Sequence, residues 1–169
     1  MNKNQEPIAS AVTSLDLHDI ARAAKTYALS AFYVITPLTD QQELVRSIID
    51  HWITGVGARY NPDRRQALEL IRLHPTLQEA VQEMTTQTGC APKTIVTSAR
   101  MDDSNLDFTQ LRTLAHDAPL LLLFGTAWGL APEVVQSADY RLAPVKGRGP
   151  YNHLSVRSAV SIILDRMFS

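Results

Sequence analysis

Five consecutive apolar residues, Leu120 to Phe124, stand between Pro119 and Gly125. A run this short, bounded by a proline and a glycine, has the length of a strand, and its unbroken apolarity means that both faces are covered. Strands buried on both faces belong to parallel sheets flanked by helices, so this segment fixes the class of the chain as α/β. In such sheets a ligand sits beyond the carboxyl ends of the strands. The chain leaves Phe124 through GTAWGL, where Gly125 and Gly129 let backbone come close to a bound molecule. A second loop, LAPVKGRGPYNHLS, spans 142–155, is shaped by Pro144 and Gly147, and runs into a strongly apolar helix.

Upstream, strand and helix patterns alternate. Ile8 to Thr13 is a strand candidate of small residues, and Leu17, Ile20, Ala21, Ala24 and Ala28 follow at helical spacing behind the capping residues Ser14 and Asp16. Ala31 to Thr36 reads as a second strand closed by Pro37. Thr39 with Gln42 resembles a capping box for a helix carrying Leu44, Val45, Ile48, Ile49 and Trp52 and ending near Gly55. From Asn61 and Pro62 the pattern predicts a helix through Leu73, and Thr76 with Glu79 opens another up to Gly89, with no strand between them. Their arginines, Arg64, Arg65 and Arg72, read first as a solvated surface and second as an RNA contact. Thr94 to Ala99 is the third strand, followed by a polar loop from Arg100 to Asn105 and a short helix with Phe108, Leu111 and Leu114. After the Leu120 to Phe124 strand, Pro132 opens a brief helix and Tyr140 to Ala143 is the last strand.

The final helix, Leu154 to Phe168, carries two apolar stripes: Val156, Val160, Ile163 and Met167 on one side, Leu154, Ile162 and Leu164 on another. Such a helix is expected to be covered twice, by its own sheet and by a second copy of the chain, which predicts a homodimer. The expected architecture is a single domain over residues 1–169, a doubly wound parallel sheet of about five strands with helices on both faces.

Composition narrows the class of function. The single cysteine, Cys90, excludes an internal disulfide and offers no zinc cluster. The N-terminus MNKNQEPIAS lacks the apolar core of a leader, and no apolar run is long enough to cross a bilayer, so a cytoplasmic protein is expected. The net charge of −1 gives no global case for nucleic acid, but residues 140–169 hold five basic residues against one acidic, which favours an anionic ligand there. The first strand is not followed by G-x-G-x-x-G, and no G-x-x-x-x-G-K-[ST] occurs, which weighs against dinucleotides and nucleoside triphosphates. The pairs GVG at Gly55 and GRG at Gly147 read as turns.

The two stretches LLLLFGTAWGL and LAPVKGRGPYNHLSVRSAVSIILDRM resemble the C-terminal motifs of the SPOUT class of S-adenosylmethionine-dependent RNA methyltransferases. The segment DLHDIARAAKTYALSAFYVITP, residues 16–37, is similar to the first motif of the SpoU branch, in which an arginine-bearing helix leads to the second strand. Within the class the chain looks most like a small stand-alone bacterial family, related by domain fusion or gene neighbourhood to tRNA guanine-N1 methyltransferase. The resemblance implies a deep C-terminal trefoil knot that binds the cofactor, a dimer packed through the last helix, and an RNA substrate, tRNA or rRNA. It places the first cofactor loop on Phe124, Gly125, Thr126, Ala127, Trp128 and Gly129. The adenosine-binding backbone falls on Leu142, Pro144 and Val145, with Gly147 in the same loop. Tyr151, Asn152, His153, Leu154 and Ser155 stand in place of the Ser-Leu-Asn-Val-Ser signature, and Thr97 and Ser98 lie near the ribose or methionine part.

This chain departs from the family pattern in carrying Ala-Trp where an acidic residue is usual, His153 for asparagine, and His18 for glycine. On the residues alone, Trp128 reads equally as a core aromatic, and Asn152 or His153 as a cap of the last helix.

A methyl group on a sulfonium is already activated, so the protein needs chiefly to align the acceptor and manage one proton, without a metal. Arg22 matches the branch's functional arginine and Asp16 its asparagine partner, expected to orient it; His153 is an alternative base, since imidazole titrates near neutrality. Two other functions fit the same residues: an inactive SPOUT module that binds cofactor or RNA, and a Rossmann-like nucleotide-binding domain without the knot.

Overall fold

A computed structural model of the chain describes residues 11–101 and 103–169. Over these residues the chain divides after Ala80 into two compact units.

The first unit is built on two parallel strands, β1 (Phe32–Ile35) and β2 (Ile71–His74), with Phe32 opposite Ile71 and Ile35 opposite His74. Its helices are α1 (Ser14–Thr26), α2 (Thr39–Ile53), α3 (Val56–Tyr60) and α4 (Pro62–Leu68). Thr13 caps α1: its Oγ1 accepts from the Asp16 backbone N–H at 3.2 Å and donates to Asp16 Oδ2 at 2.6 Å. Leu17, Ile20, Ala21 and Ala24 form the buried stripe of α1. Ala28, expected to continue it, lies past the helix end with φ 55°. The core gathers Leu17, Ala21, Val34, Val45, Ala67, Leu68 and Ile71.

Three local expectations change here. Of the strand expected over 8–13, residues 8–10 lie outside the described residues, and Ala11 to Thr13 form no strand because Thr13 is spent as the cap of α1. Thr39 and Gln42 do not form a capping box. The N-cap of α2 is Leu38, without a side-chain cap, and Gln42 Nε2 donates to the Thr36 carbonyl at 2.9 Å, satisfying an acceptor of a buried residue at the end of the strand. The helix expected from Asn61 to Leu73 stops at Leu68, and Ile71–His74 becomes a strand. Pairing with β1 and burial of Ile71 beside Leu68 outweigh the local helical spacing.

The second unit holds three parallel strands in the order β4-β3-β5: β3 (Lys93–Val96) at the centre, β4 (Leu120–Leu123) on one side and β5 (Tyr140–Arg141) on the other. The five described strands thus hydrogen-bond as two parallel groups rather than one continuous ladder. Helix α5 (Leu77–Thr88) carries the chain across the unit boundary, and α6 (Phe108–Asp117), α7 (Pro132–Ser137) and α8 (Val156–Phe168) follow. Ile95, Leu106, Leu111, Leu142, Ile163 and Met167 make the core, so α8 buries its Ile163 and Met167 face as the first stripe predicts. Arg112 Nη1 on α6 donates to the Arg166 carbonyl at 2.7 Å, tying down the last turn of α8.

Asp139 locks β5 onto the start of β3. It accepts from the Thr94 N–H at 2.9 Å, the Thr94 hydroxyl at 2.8 Å and Lys93 Nζ at 3.1 Å. Partial burial pushes this carboxyl up, but the bonds from Thr94 and the contact with Lys93 outweigh it and hold the group below its ordinary value.

Candidate active site

The carboxyl ends of the three adjacent strands β4, β3 and β5 lead into the segments where the sequence places cofactor residues: Phe124 to Gly129, Thr97 and Ser98, and Leu142 to Val145. Hydrogen bonds fasten these segments together. The Thr97 N–H and hydroxyl both donate to the Leu123 carbonyl, at 3.1 and 2.9 Å, and the Leu142 N–H donates to the Val96 carbonyl at 3.0 Å. Leu142 is buried, Pro144 and Val145 are half-buried, and Ser98 is exposed, its Oγ accepting from the Arg100 N–H at 3.1 Å.

The loop after β4 is wound tightly. A Cβ at Gly125 would stand 2.5 Å from both the Gly129 carbonyl carbon and the Leu130 nitrogen, so only glycine closes this turn. Gly129 has φ 101° and Ala127 φ 51°, and the Gly129 N–H donates to the Thr126 carbonyl at 3.0 Å. A left-handed alanine costs about 1 kcal/mol, a strain of the kind stored where a loop must present its backbone to a ligand. Trp128 is 61% exposed, which settles its reading as a core aromatic in the negative. At Gly147 an added Cβ would meet only the Tyr151 carbonyl at 4.0 Å, so its glycine is not sterically required.

The loop before α8 folds back to the end of β3. Asn152 Nδ2 donates to the Ala99 carbonyl at 3.0 Å, and His153 Nε2 lies 3.5 Å from Arg100 Nη2. Together Ala99, Arg100, Pro150, Asn152 and His153 line a cleft of about 360 Å³. The cap of α8 is Ser155, whose Oγ accepts from the Ser158 N–H at 3.3 Å, so neither Asn152 nor His153 serves that purpose. Tyr151 and Leu154 are exposed, and the Tyr151 ring lies 5.8 Å from that of His153. Sequence reasoning left Arg100 without a role; its position one residue past the small TSA segment at a strand end was the available signal.

Arg22 and Asp16 belong to the first unit, both on α1. Six residues apart on a helix, they point about 120° apart around its axis, and Asp16 takes part in the cap with Thr13. Arg22 is exposed, with His18 one turn before it on the same face. The His18 ring meets Trp52 edge-on at 5.4 Å, and the Arg64 guanidinium lies 4.6 Å from the centre of the same indole. Burial first, then the charges of Arg64 and Arg22, lower the His18 pKa against the opposing pull of Asp19. The arginines read first as a solvated surface have partners within the fold: Arg64 on Trp52, Arg65 with Glu69 at 2.8 Å, and Arg72 donating to the Glu69 carbonyl at 2.7 Å.

The sequence pattern of a SAM-dependent RNA methyltransferase family matches residues 1–169. The chain belongs to this family.

Over 167 residues the chain is 42% identical to a tRNA (guanine-N(1)-)-methyltransferase of Oleidesulfovibrio alaskensis, covering 99% of this chain but only 39% of that protein's length. It is 37% identical to an uncharacterized protein of Aquifex aeolicus, over all of this chain and 83% of the relative. The SpoU methyltransferase AviRb from Streptomyces viridochromogenes, solved in complex with AdoMet, superposes with a TM-score of 0.62 at 16% identity, covering 99% of this chain and 60% of that one. That likeness shows the fold, an α/β arrangement of the SpoU type.

Proposed function

We propose that this chain transfers a methyl group from S-adenosylmethionine to an RNA, tRNA or rRNA, with cofactor held at the carboxyl ends of β4, β3 and β5. The observation that carries the reading is the convergence of the three cofactor segments on adjacent strand ends, closed by a turn that only Gly125 permits. Phe124 to Gly129 and Leu142 to Val145 would hold the adenosine through backbone groups, with Thr97, Ser98, Gly147 and Tyr151 to Ser155 completing the site. S-adenosylmethionine, when bound, supplies a methyl group already activated on a sulfonium. What remains for the protein is to orient the acceptor and manage its proton. Arg22, always protonated and fork-shaped, suits an RNA phosphate or an acceptor oxygen that gains charge. His153 lines the cleft at the end of β3. Asp16, hydrogen-bonded to Thr13 at the start of α1, is the residue expected to orient Arg22.

The wider assignment is a single methyltransferase domain over 169 residues, knotted near its C-terminus as the SPOUT resemblance implies, and homodimeric through α8. A cytoplasmic setting agrees with the absence, among the described residues, of any helix long and apolar enough to cross a membrane. The family match sets aside the Rossmann-like alternative. The replacements at His18, Asp16 and the Ala-Trp pair favour, as a second reading, a module that binds without turnover, which methyl transfer distinguishes.

Titration calorimetry with S-adenosylhomocysteine tests the cofactor site. Wild-type protein is expected to bind, and Gly125→Val, its circular dichroism unchanged, to bind roughly tenfold or more weakly, a loss of about 1.4 kcal/mol or more. Absence of heat with folded wild-type protein sinks the proposal.

A further inference from the structure

Two neighbouring side chains of the loop before α8 meet two neighbouring residues after β3: Asn152 Nδ2 donates to the Ala99 carbonyl at 3.0 Å, and His153 Nε2 lies 3.5 Å from Arg100 Nη2. A guanidinium stays protonated and has no acceptor, so in this pair it donates and Nε2 accepts. The ring proton of His153 then sits on Nδ1. We propose that Arg100 is a positioning residue that fixes His153 as a hydrogen-bond donor through Nδ1, and that the two side chains receive two separate anionic oxygens of the RNA backbone, one on each side of the imidazole ring.

The inference rests on the RNA methyltransferase reading and deepens it. Both side chains are exposed and line the cleft of about 360 Å³, so a ligand reaches them without rearrangement. A charged fork on one side of a neutral imidazole and an N–H on the other match the recurring singly charged groups of a phosphodiester backbone, offering donors and no competing acceptor. The same loop carries exposed Lys146 and Arg148, and no acidic residue occurs between Tyr140 and Leu164. A polyanion, whose charge recurs along its length, gains from each of these cations, whereas a lone carboxylate on a small ligand uses one. His153, with Nε2 engaged and its proton on Nδ1, acts in this arrangement as a donor and not as the base.

The tautomer is read by long-range proton–nitrogen correlation on ligand-free, nitrogen-15 histidine-labelled protein, with His153 identified by the signal lost in His153→Gln. Wild type is expected to show Nδ1 protonated and Nε2 bare, and Arg100→Met to revert to the Nε2–H form. Nε2 protonated in the wild type, or no change in Arg100→Met, overturns the proposal.

Binding of unfractionated tRNA across a salt series is the second readout. Arg100→Met is expected to weaken it about tenfold and lower the salt slope by about one, while Arg100→Lys keeps the slope. Affinity for S-adenosylhomocysteine is expected to stay unchanged in both variants. If Arg100→Met instead weakens S-adenosylhomocysteine but not 5′-methylthioadenosine, which lacks the carboxylate, the cofactor is the partner of Arg100 and the proposal falls. The tautomer is independent of the methyltransferase reading, which the wild-type S-adenosylhomocysteine titration tests alone.

Discussion

His18 stands where the SpoU-branch motif that this segment resembles has glycine, and its side chain is set between aromatic and cationic neighbours. Its ring meets Trp52 at 5.4 Å, with Arg64 over the same indole and Arg22 one turn further along α1. The native state keeps this imidazole neutral to lower pH than the ordinary value of 6.5. The unfolded chain therefore binds the proton first as pH falls, so the stabilising contribution is complete above about 6.5 and is lost below it, toward the depressed native pKa. The melting temperature of wild-type protein is expected to fall more steeply between about pH 7 and 5 than that of His18→Phe, which keeps a ring against Trp52 but does not titrate. Parallel slopes would contradict this account of His18. The arrangement was not legible in the sequence, because Arg64 looks like one of several surface arginines until α4 packs against α1 and α2. Arg100 was hidden for the opposite reason: it sits in a polar loop, and the return of His153 from 53 residues away gives it a partner.

At the scale of elements, α8 shows what periodicity does and does not reveal. Val160, Ile163, Leu164 and Met167 are buried, three of the four residues of one expected stripe and one of the other, and Ile163 and Met167 join the unit's core. Leu154 and Phe168 remain 44% and 50% exposed, and Ile162 is half-buried. These are the positions through which the proposed dimer would pack. Ile162→Glu is expected to shift the protein toward monomer by light scattering at micromolar concentration, since an unpaired charge is costly in an interface core. A wild-type protein already monomeric at that concentration would contradict the dimer.

Strand β2 marks the limit of local pattern. Ile71–His74 alternates apolar and polar residues, but four residues are too few to separate it from the helix before it; its partner β1 lies about forty residues earlier, and the parallel pairing decides its state. The strands of the second unit were legible because Leu120–Leu123 and Thr94 to Val96 are apolar or β-branched and bounded by turn residues.

For the whole molecule, the family pattern matches the entire chain and the fold is like that of a SpoU methyltransferase, while the segments proposed to hold the cofactor lie at one end of three parallel strands. Arg22 lies on α1 in the other compact unit, and the catalytic part proposed for it is tested on the full chain. The deciding measurement is single-turnover transfer of labelled methyl from saturating S-adenosylmethionine to total RNA from a strain lacking this protein. Wild type is expected to label RNA, with Arg22→Ala and Arg22→Lys slower by roughly a hundredfold, the scale of a lost electrostatic stabiliser. No label from folded, cofactor-saturated wild-type protein would contradict the assignment as an enzyme, and equal rates for all three proteins would contradict the role given to Arg22.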